Sequence, residues 1–227
     1  TADIHRLIEL MPETILTQAQ PLQIWPGRGL IALTAYQYQY CDNDSYLEIA
    51  LSVLTNQPGK SNFGPLTMVG QALDKAYWGY VLKLPVNTEL ARVRGVIGYN
   101  LPKWLTGITY TEHHQSVRYE IADDVSGNPD LVIERQKLSG LLDEVALVTN
   151  NFTNLNEQGE LITGYAVSRQ LRYGTSSDDN AMTLTLNDGP LSDYIRSLKL
   201  GTMLKYEYVP EFQSALYAPT LWQENRN

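Results

Sequence analysis

A strict two-residue alternation of apolar and polar positions marks the first half of this chain. In Tyr46–Leu54, the residues Leu47, Ile49, Leu51 and Val53 fall on one face, and Tyr46, Glu48, Ala50 and Ser52 fall on the other. That is the pattern of a half-buried strand. Residues 30–40 alternate in the same way at their end, with Tyr36, Tyr38 and Tyr40 on one side and Gln37 and Gln39 on the other. The polar stretch 41–45 then joins the two segments as a hairpin turn. A tyrosine ladder of this kind serves either to line a ligand cavity or to pack across strands.

Further strands are predicted at 22–24, 78–86, 161–171, 182–186 and 203–209, and residues 106–147 read as an antiparallel meander. Helical spacing is confined to three short pieces. Ile4, Leu7, Ile8 and Met11 form one. Thr88 caps a second, with Leu90, Val93 and Ile97 as its apolar face and Gly98 as its stop. Gly189-Pro190 opens the third, which Gly201 closes. The breaker-rich loop 57–65 reads as a rim or lid, and the tail beyond Pro219 as frayed, with Trp222 docking on a neighbour. The fold class that follows is mainly β, an antiparallel β-barrel with a few short helices at the periphery, in a single domain spanning 1–227.

Composition narrows the function. With 43% hydrophobic and 19% charged residues over 227 positions, the chain can bury a large core. A formal charge of -8 argues against a nucleic-acid partner, which requires a basic footprint. No run of about 18 apolar residues occurs, so no membrane span is expected. One cysteine, Cys41, fits a reducing compartment, and the expected location is cytoplasmic. No phosphate-binding glycine loop, nucleophile elbow or Cys/His metal set is present, so neither cofactor nor metal is expected. His113 and His114 follow Glu112, but neighbouring strand residues point to opposite faces and could not share an ion.

The chemistry rests on Lys103. Its neighbours are Tyr99, Leu101, Pro102, Trp104 and Leu105, with no acidic residue within six positions on either side. An ammonium drawn into such surroundings loses hydration, which favours the neutral, nucleophilic amine. A snorkelling lysine, its stem covering apolar surface and its head in water, fits the same neighbours. Glu48, between tyrosine and alanine on its strand face, belongs either to an exposed edge or to a polar cavity. In a cavity it could relay protons near Lys103.

Three stretches, Gly-Tyr-Asn-Leu-Pro-Lys-Trp-Leu at 98–105, Tyr46-Leu-Glu48, and Met182 to Ile195, resemble in order the motifs of the acetoacetate decarboxylase family. An activated, imine-forming lysine is a known property of that family. The resemblance implies a barrel holding a Schiff-base lysine at Lys103 and a cavity glutamate at Glu48. It also implies a small-molecule oxo acid or ketone as substrate, and homo-oligomers. Tyr46, Tyr99, Leu101 and Trp104 would then line the substrate site and keep it dry. Two family features are replaced here: the Arg-Glu pair ahead of the lysine falls on Val96-Ile97, and the second lysine is Trp104. The family's carboxylate-binding arginine lies on a strand ahead of the region corresponding to Met11, and Arg28 is the early arginine that could stand in for it. The expected activity is a lyase that decarboxylates a β-keto acid or related oxo acid through a lysine iminium. The alternatives are an aldolase or dehydratase using the same lysine, or a barrel that binds a small ligand without turning it over.

Overall fold

Alternation in the hairpin becomes two faces with different partners. The computed structural model describes residues 1–223. It begins with β1 (Ala2–Asp3), α1 (Ile4–Glu9), α2 (Glu13–Leu16), β2 (Gln23–Trp25) and β3 (Arg28–Gly29). The hairpin follows as β4 (Ile31–Tyr38) and β5 (Tyr46–Leu54), then α3 (Pro65–Asp74), β6 (Ala76–Val86), α4 (Glu89–Tyr99) and β7 (Lys103–Leu105). Next come β8 (Ile108–Glu112), β9 (Ser116–Ala122), β10 (Pro129–Gln136), β11 (Ala146–Leu155) and β12 (Leu161–Ser176). The chain ends with β13 (Met182–Leu186), α5 (Pro190–Ser197) and β14 (Tyr206–Leu221).

These strands make three sheets. The large one runs β14-β12-β11-β6-β5-β4, with β7 also paired to β6. A four-stranded sheet runs β13-β10-β9-β8, and β1, β3 and β2 form a small third. The main core lies between the first two: Ile49, Leu51 and Val53 of β5 pack with Ile108, Val117, Tyr119, Ile121, Leu131 and Ile133. Burying a side chain of this size contributes about 1.5–3 kcal/mol, so this layer dominates the hydrophobic stabilisation.

Mainly β holds, but no sheet closes into a barrel, and the pairing is not purely antiparallel. β4 and β14 remain the two end strands of the large sheet. They meet through rings instead of backbone: Phe212 of β14 lies 6.1 Å from Tyr36 and 5.8 Å from Tyr38 of β4, centre to centre. The sheet therefore curls until its ends touch, and its concave face is enclosed without a final ladder. Both β11 and β7 run parallel to β6, against Ala76 to Tyr80 and Leu84 to Val86 respectively.

Other expectations shift in detail. The meander ends at β10, because β11 crosses to the large sheet. Two helices, α2 and α3, are additions to the three expected from the pattern. α3 leaves Leu66, Val69 and Leu73 exposed, so its apolar spacing marks an outer face. α4 stops at Asn100, whose left-handed φ of 49° ends the helix two residues after Gly98. Its buried positions are Ala91 and Gly95, whereas Ile97 is 81% exposed. Small residues face inward there because the helix lies close against the sheet. The last strand continues to Leu221, and Trp222 packs against this chain's own core and Gly59. No helix among the described residues is long and apolar enough to cross a membrane.

Asp130 ties β10 to the start of α5. It is 1% exposed, and its carboxylate accepts from the backbone N–H groups of Leu191 and Ser192 at 2.8 and 2.9 Å. These are orphan donors of the first turn of α5, so the carboxylate caps the helix from a neighbouring strand.

Candidate functional site

The short strand carrying Lys103 is set by what precedes it. Thr88 caps α4 by accepting from the N–H of Ala91. At the other end the Asn100 N–H bonds Val96 O and the Leu101 N–H bonds Gly95 O. Asn100 also exchanges side-chain hydrogen bonds with the end of β11, through Leu155 and Asn154. Pro102 then stiffens an extended backbone, and Lys103 pairs opposite Leu84 of β6.

Glu48 pairs opposite Val86 of the same strand, on its other side. Lys103 and Glu48 thus flank β6 on one face of the sheet, and their long side chains meet over it. Lys103 Nζ lies 2.7 Å from Glu48 Oε2, with the two side chains 5% and 9% exposed. The approach falls outside hydrogen-bonding angles, so Oε2 has no directed donor. Charge holds the pair, and a lone pair on that oxygen stays free to accept a proton. Glu48 therefore sits in the enclosed position, not at an exposed edge.

Aromatic rings wall this pair. Tyr36 lies across from Glu48 and Tyr38 across from Tyr46 in the β4–β5 register. Tyr36 stacks on Tyr38 at 5.4 Å and Tyr38 on Tyr46 at 4.6 Å. The Lys103 ammonium is 5.4 Å from the Tyr46 ring centre, a cation–π distance. Burial first, and then the Glu48 charge, raises the Tyr36 phenol to about 12. The same two causes hold the Tyr38 and Tyr46 phenols well above their usual range. All three remain protonated donors at neutral pH.

The remaining expected site residues divide. Leu101 packs with Leu84 and Phe152, and Tyr99 packs against that group, placing both beside Lys103 on the α4 side. Trp104 lies elsewhere. Adjacent strand residues alternate, and its ring packs against the main core near Lys83, 5.7 Å from that ammonium. It lines a separate hollow of about 270 Å³ with Lys83, Asp130 and Leu191. Arg28 is also remote from the pair in the chain's architecture, in the small sheet, where its guanidinium donates to Thr1 Oγ1 at 3.3 Å and lies against Gly201. Another hollow, of about 610 Å³, lies between α1, β2 and the start of α3. Lys103 and Glu48 line neither hollow.

Four contributors are not marked as site residues by the sequence. Tyr36 and Tyr38 stand in the ladder without an evident partner. Phe212 lies beyond the predicted end of the last strand. Gly95 is the fourth: a Cβ there would overlap the Cδ and Cε of Lys103, so glycine makes room for the lysine stem.

Solved structures that superpose on this chain include acetoacetate decarboxylases. Acetoacetate decarboxylase from Legionella pneumophila subsp. pneumophila str. Philadelphia 1 superposes with a TM-score of 0.66 at 11% identity, over 99% of this chain and 82% of that one. The enduracididine biosynthesis enzyme MppR complexed with pyruvate gives 0.57 at 14% identity, over 97% and 82%. An acetoacetate decarboxylase-like enzyme from Sphingomonas wittichii RW1 gives 0.50 at 14% identity, over 97% and 86%. No family model and no curated protein matches the sequence. At these identities the likeness is one of fold.

Proposed function

Starting from the fold of the acetoacetate decarboxylases and from a buried lysine facing a buried glutamate, we propose that this protein is a Schiff-base-forming lyase acting on a small carbonyl compound. The 2.7 Å contact between Lys103 and Glu48 carries the reading. Membership of the acetoacetate decarboxylase family is part of the same proposal, as is a homo-oligomeric state.

Glu48 takes a proton from the Lys103 ammonium and frees the lone pair. The amine attacks the carbonyl carbon to give a carbinolamine, and Glu48 returns the proton to its hydroxyl, which leaves as water. The product is an iminium paired with the Glu48 carboxylate. Tyr46 offers its ring face to the cation throughout. The iminium then accepts an electron pair from the neighbouring carbon, which serves decarboxylation of a β-keto acid and aldol-type chemistry alike. Leu101, Tyr99 and Phe152 cover the site on the α4 side, and Phe212 closes it opposite.

The test is proton exchange at the carbon next to the carbonyl. Incubated in D2O with simple ketones and aldehydes, the protein should wash deuterium into that position, read by NMR. Exchange should vanish in Lys103→Arg and fall in Glu48→Gln. Equal exchange in wild type and Lys103→Arg would refute the proposal.

A further inference from the structure

The same pair constrains what can sit beside it, given the imine reading above. Lys103 brings one positive charge to the concave face, and Glu48 cancels it at 2.7 Å, both side chains buried. The wall next to them consists of the stacked Tyr36, Tyr38 and Tyr46 rings with Phe212 turned against the first two. Glu207 acts on this stack from β14, its charge falling on the Tyr36 phenol. Its own carboxylate is held by Gln170 at 2.8 Å and Lys205 at 2.6 Å.

The arginines of α4 are committed elsewhere. Arg92 and Arg94 of α4, the nearest in sequence to Lys103, pair with Glu89 and Asp42 on the exposed side of the helix. Arg135 reaches β4 from the four-stranded sheet, donating to Tyr119 Oη and to Ala35 O, whose residue pairs opposite Ile49 of the main core, and its buried Nε has no partner. A substrate carboxylate entering beside Lys103 would therefore meet one already matched ammonium, one carboxylate and aromatic faces. Like charges brought together without a counter-ion are selected against.

We infer that the substrate is an uncharged aldehyde or ketone bearing an apolar or aromatic group, held by the ring stack, rather than an oxo acid. Its reactive bond is then C–H or C–C, not the bond to a carboxylate. For a β-hydroxy carbonyl compound the step balances as a retro-aldol. Glu48 takes the hydroxyl proton, the Cα–Cβ bond breaks, and its electron pair runs to the iminium nitrogen to leave the Lys103 enamine. The far half departs as an aldehyde. Glu48 then protonates the enamine carbon, and water hydrolyses the resulting iminium.

Two compounds with one skeleton decide it: 4-phenylbutan-2-one, and 2-oxo-4-phenylbutanoate, in which a carboxylate replaces the methyl group. Each is titrated against the full chain with cyanoborohydride, and adduct on Lys103 is followed by intact mass with Lys103→Arg as background. Each value is corrected for labelling of free Nα-acetyl-lysine. The ketone should half-saturate labelling at a concentration about tenfold or more below the oxo acid, since like-charge contact costs the latter. Glu48→Gln, which leaves the ammonium unmatched, should shift that ratio toward the oxo acid, and Phe212→Ala should weaken the ketone. An oxo acid that labels as well as or better than the ketone overturns the inference while leaving the imine reading intact. No adduct from either, with both labelling acetyl-lysine, removes the imine reading and this inference with it.

Discussion

Gly95 of α4 lies so close to the aliphatic stem of Lys103 that a side chain as small as alanine's would overlap it. One missing methyl group thus sets where the amine can reach. Gly95→Ala should push the stem aside, slowing imine trapping about 100-fold, the scale of an ångström-sized misplacement. It should also cost about 1–3 kcal/mol from overpacking. Gly98→Ala is the control in the same helix. Nothing lies within 4 Å of a Cβ there, so it should raise stability by about 0.5–1 kcal/mol and leave trapping alone. Urea melts and borohydride trapping rates on the two variants check both halves.

The buried pair predicts a non-additive cycle. Lys103→Met or Glu48→Leu alone leaves one uncompensated buried charge and should cost about 3–5 kcal/mol. The double variant replaces the pair by apolar side chains and should be more stable than either single. Denaturant midpoints of the four proteins measure this, and additive losses would show that the charges are not coupled.

Alkaline pH should destabilise the fold through its tyrosines. An unfolded phenol ionises near 10, whereas burial and the Glu48 charge hold folded Tyr36 to about 12, and burial above all holds Tyr194 and Tyr206 to about 12. Between these values the unfolded chain has released protons that the folded chain keeps, so stability falls as pH rises. Absorbance at 295 nm should show a group of late-titrating phenols that ionise only with unfolding. In Glu48→Gln, Tyr36 should ionise earlier.

Asp130 predicts a stability effect separate from the chemistry. Asp130→Ala strips two buried backbone N–H groups of α5 of their acceptor and should cost about 2–4 kcal/mol. Thermal melts test it. Since Asp130 shares its hollow with Lys83 and Trp104, on the face of β6 and β7 opposite Lys103, the labelling of Lys103 should survive wherever the variant is folded.

Much of this is legible without the structure. Alternation in β4 and β5 predicts the hairpin and both its faces, because a half-buried strand writes its burial directly into a period of two. Lys103 and Glu48 stand out because their neighbours do not suit charged side chains. Their meeting is not legible, since it depends on β6 running between them, and local pattern carries no strand order. Trp104 reads as a site residue from its place beside Lys103, yet strand alternation turns it to the opposite face. That alternation is hidden in the sequence, where Pro102 and the helix end make residues 100–105 look like a loop. Arg28 qualifies only as an early arginine, and its tie to Thr1 follows from a small sheet formed by segments too short to show a period. The barrel expectation comes from strand count. Closure instead depends on whether β4 and β14 join by backbone, and here Phe212 and the tyrosine rings occupy that seam.

Mapping the site of reduction tests the central claim most directly. Lys83 is the alternative nucleophile to exclude: it lies on the opposite face of β6, with its ammonium 4.5 Å from the Tyr194 ring. After incubation with a carbonyl compound and borohydride, peptide mass spectrometry should find the adduct on Lys103, with Lys83 unmodified. Label on Lys83, or spread over the exposed lysines as in the unfolded chain, would contradict the account and leave the Lys103–Glu48 pair as a structural ion pair.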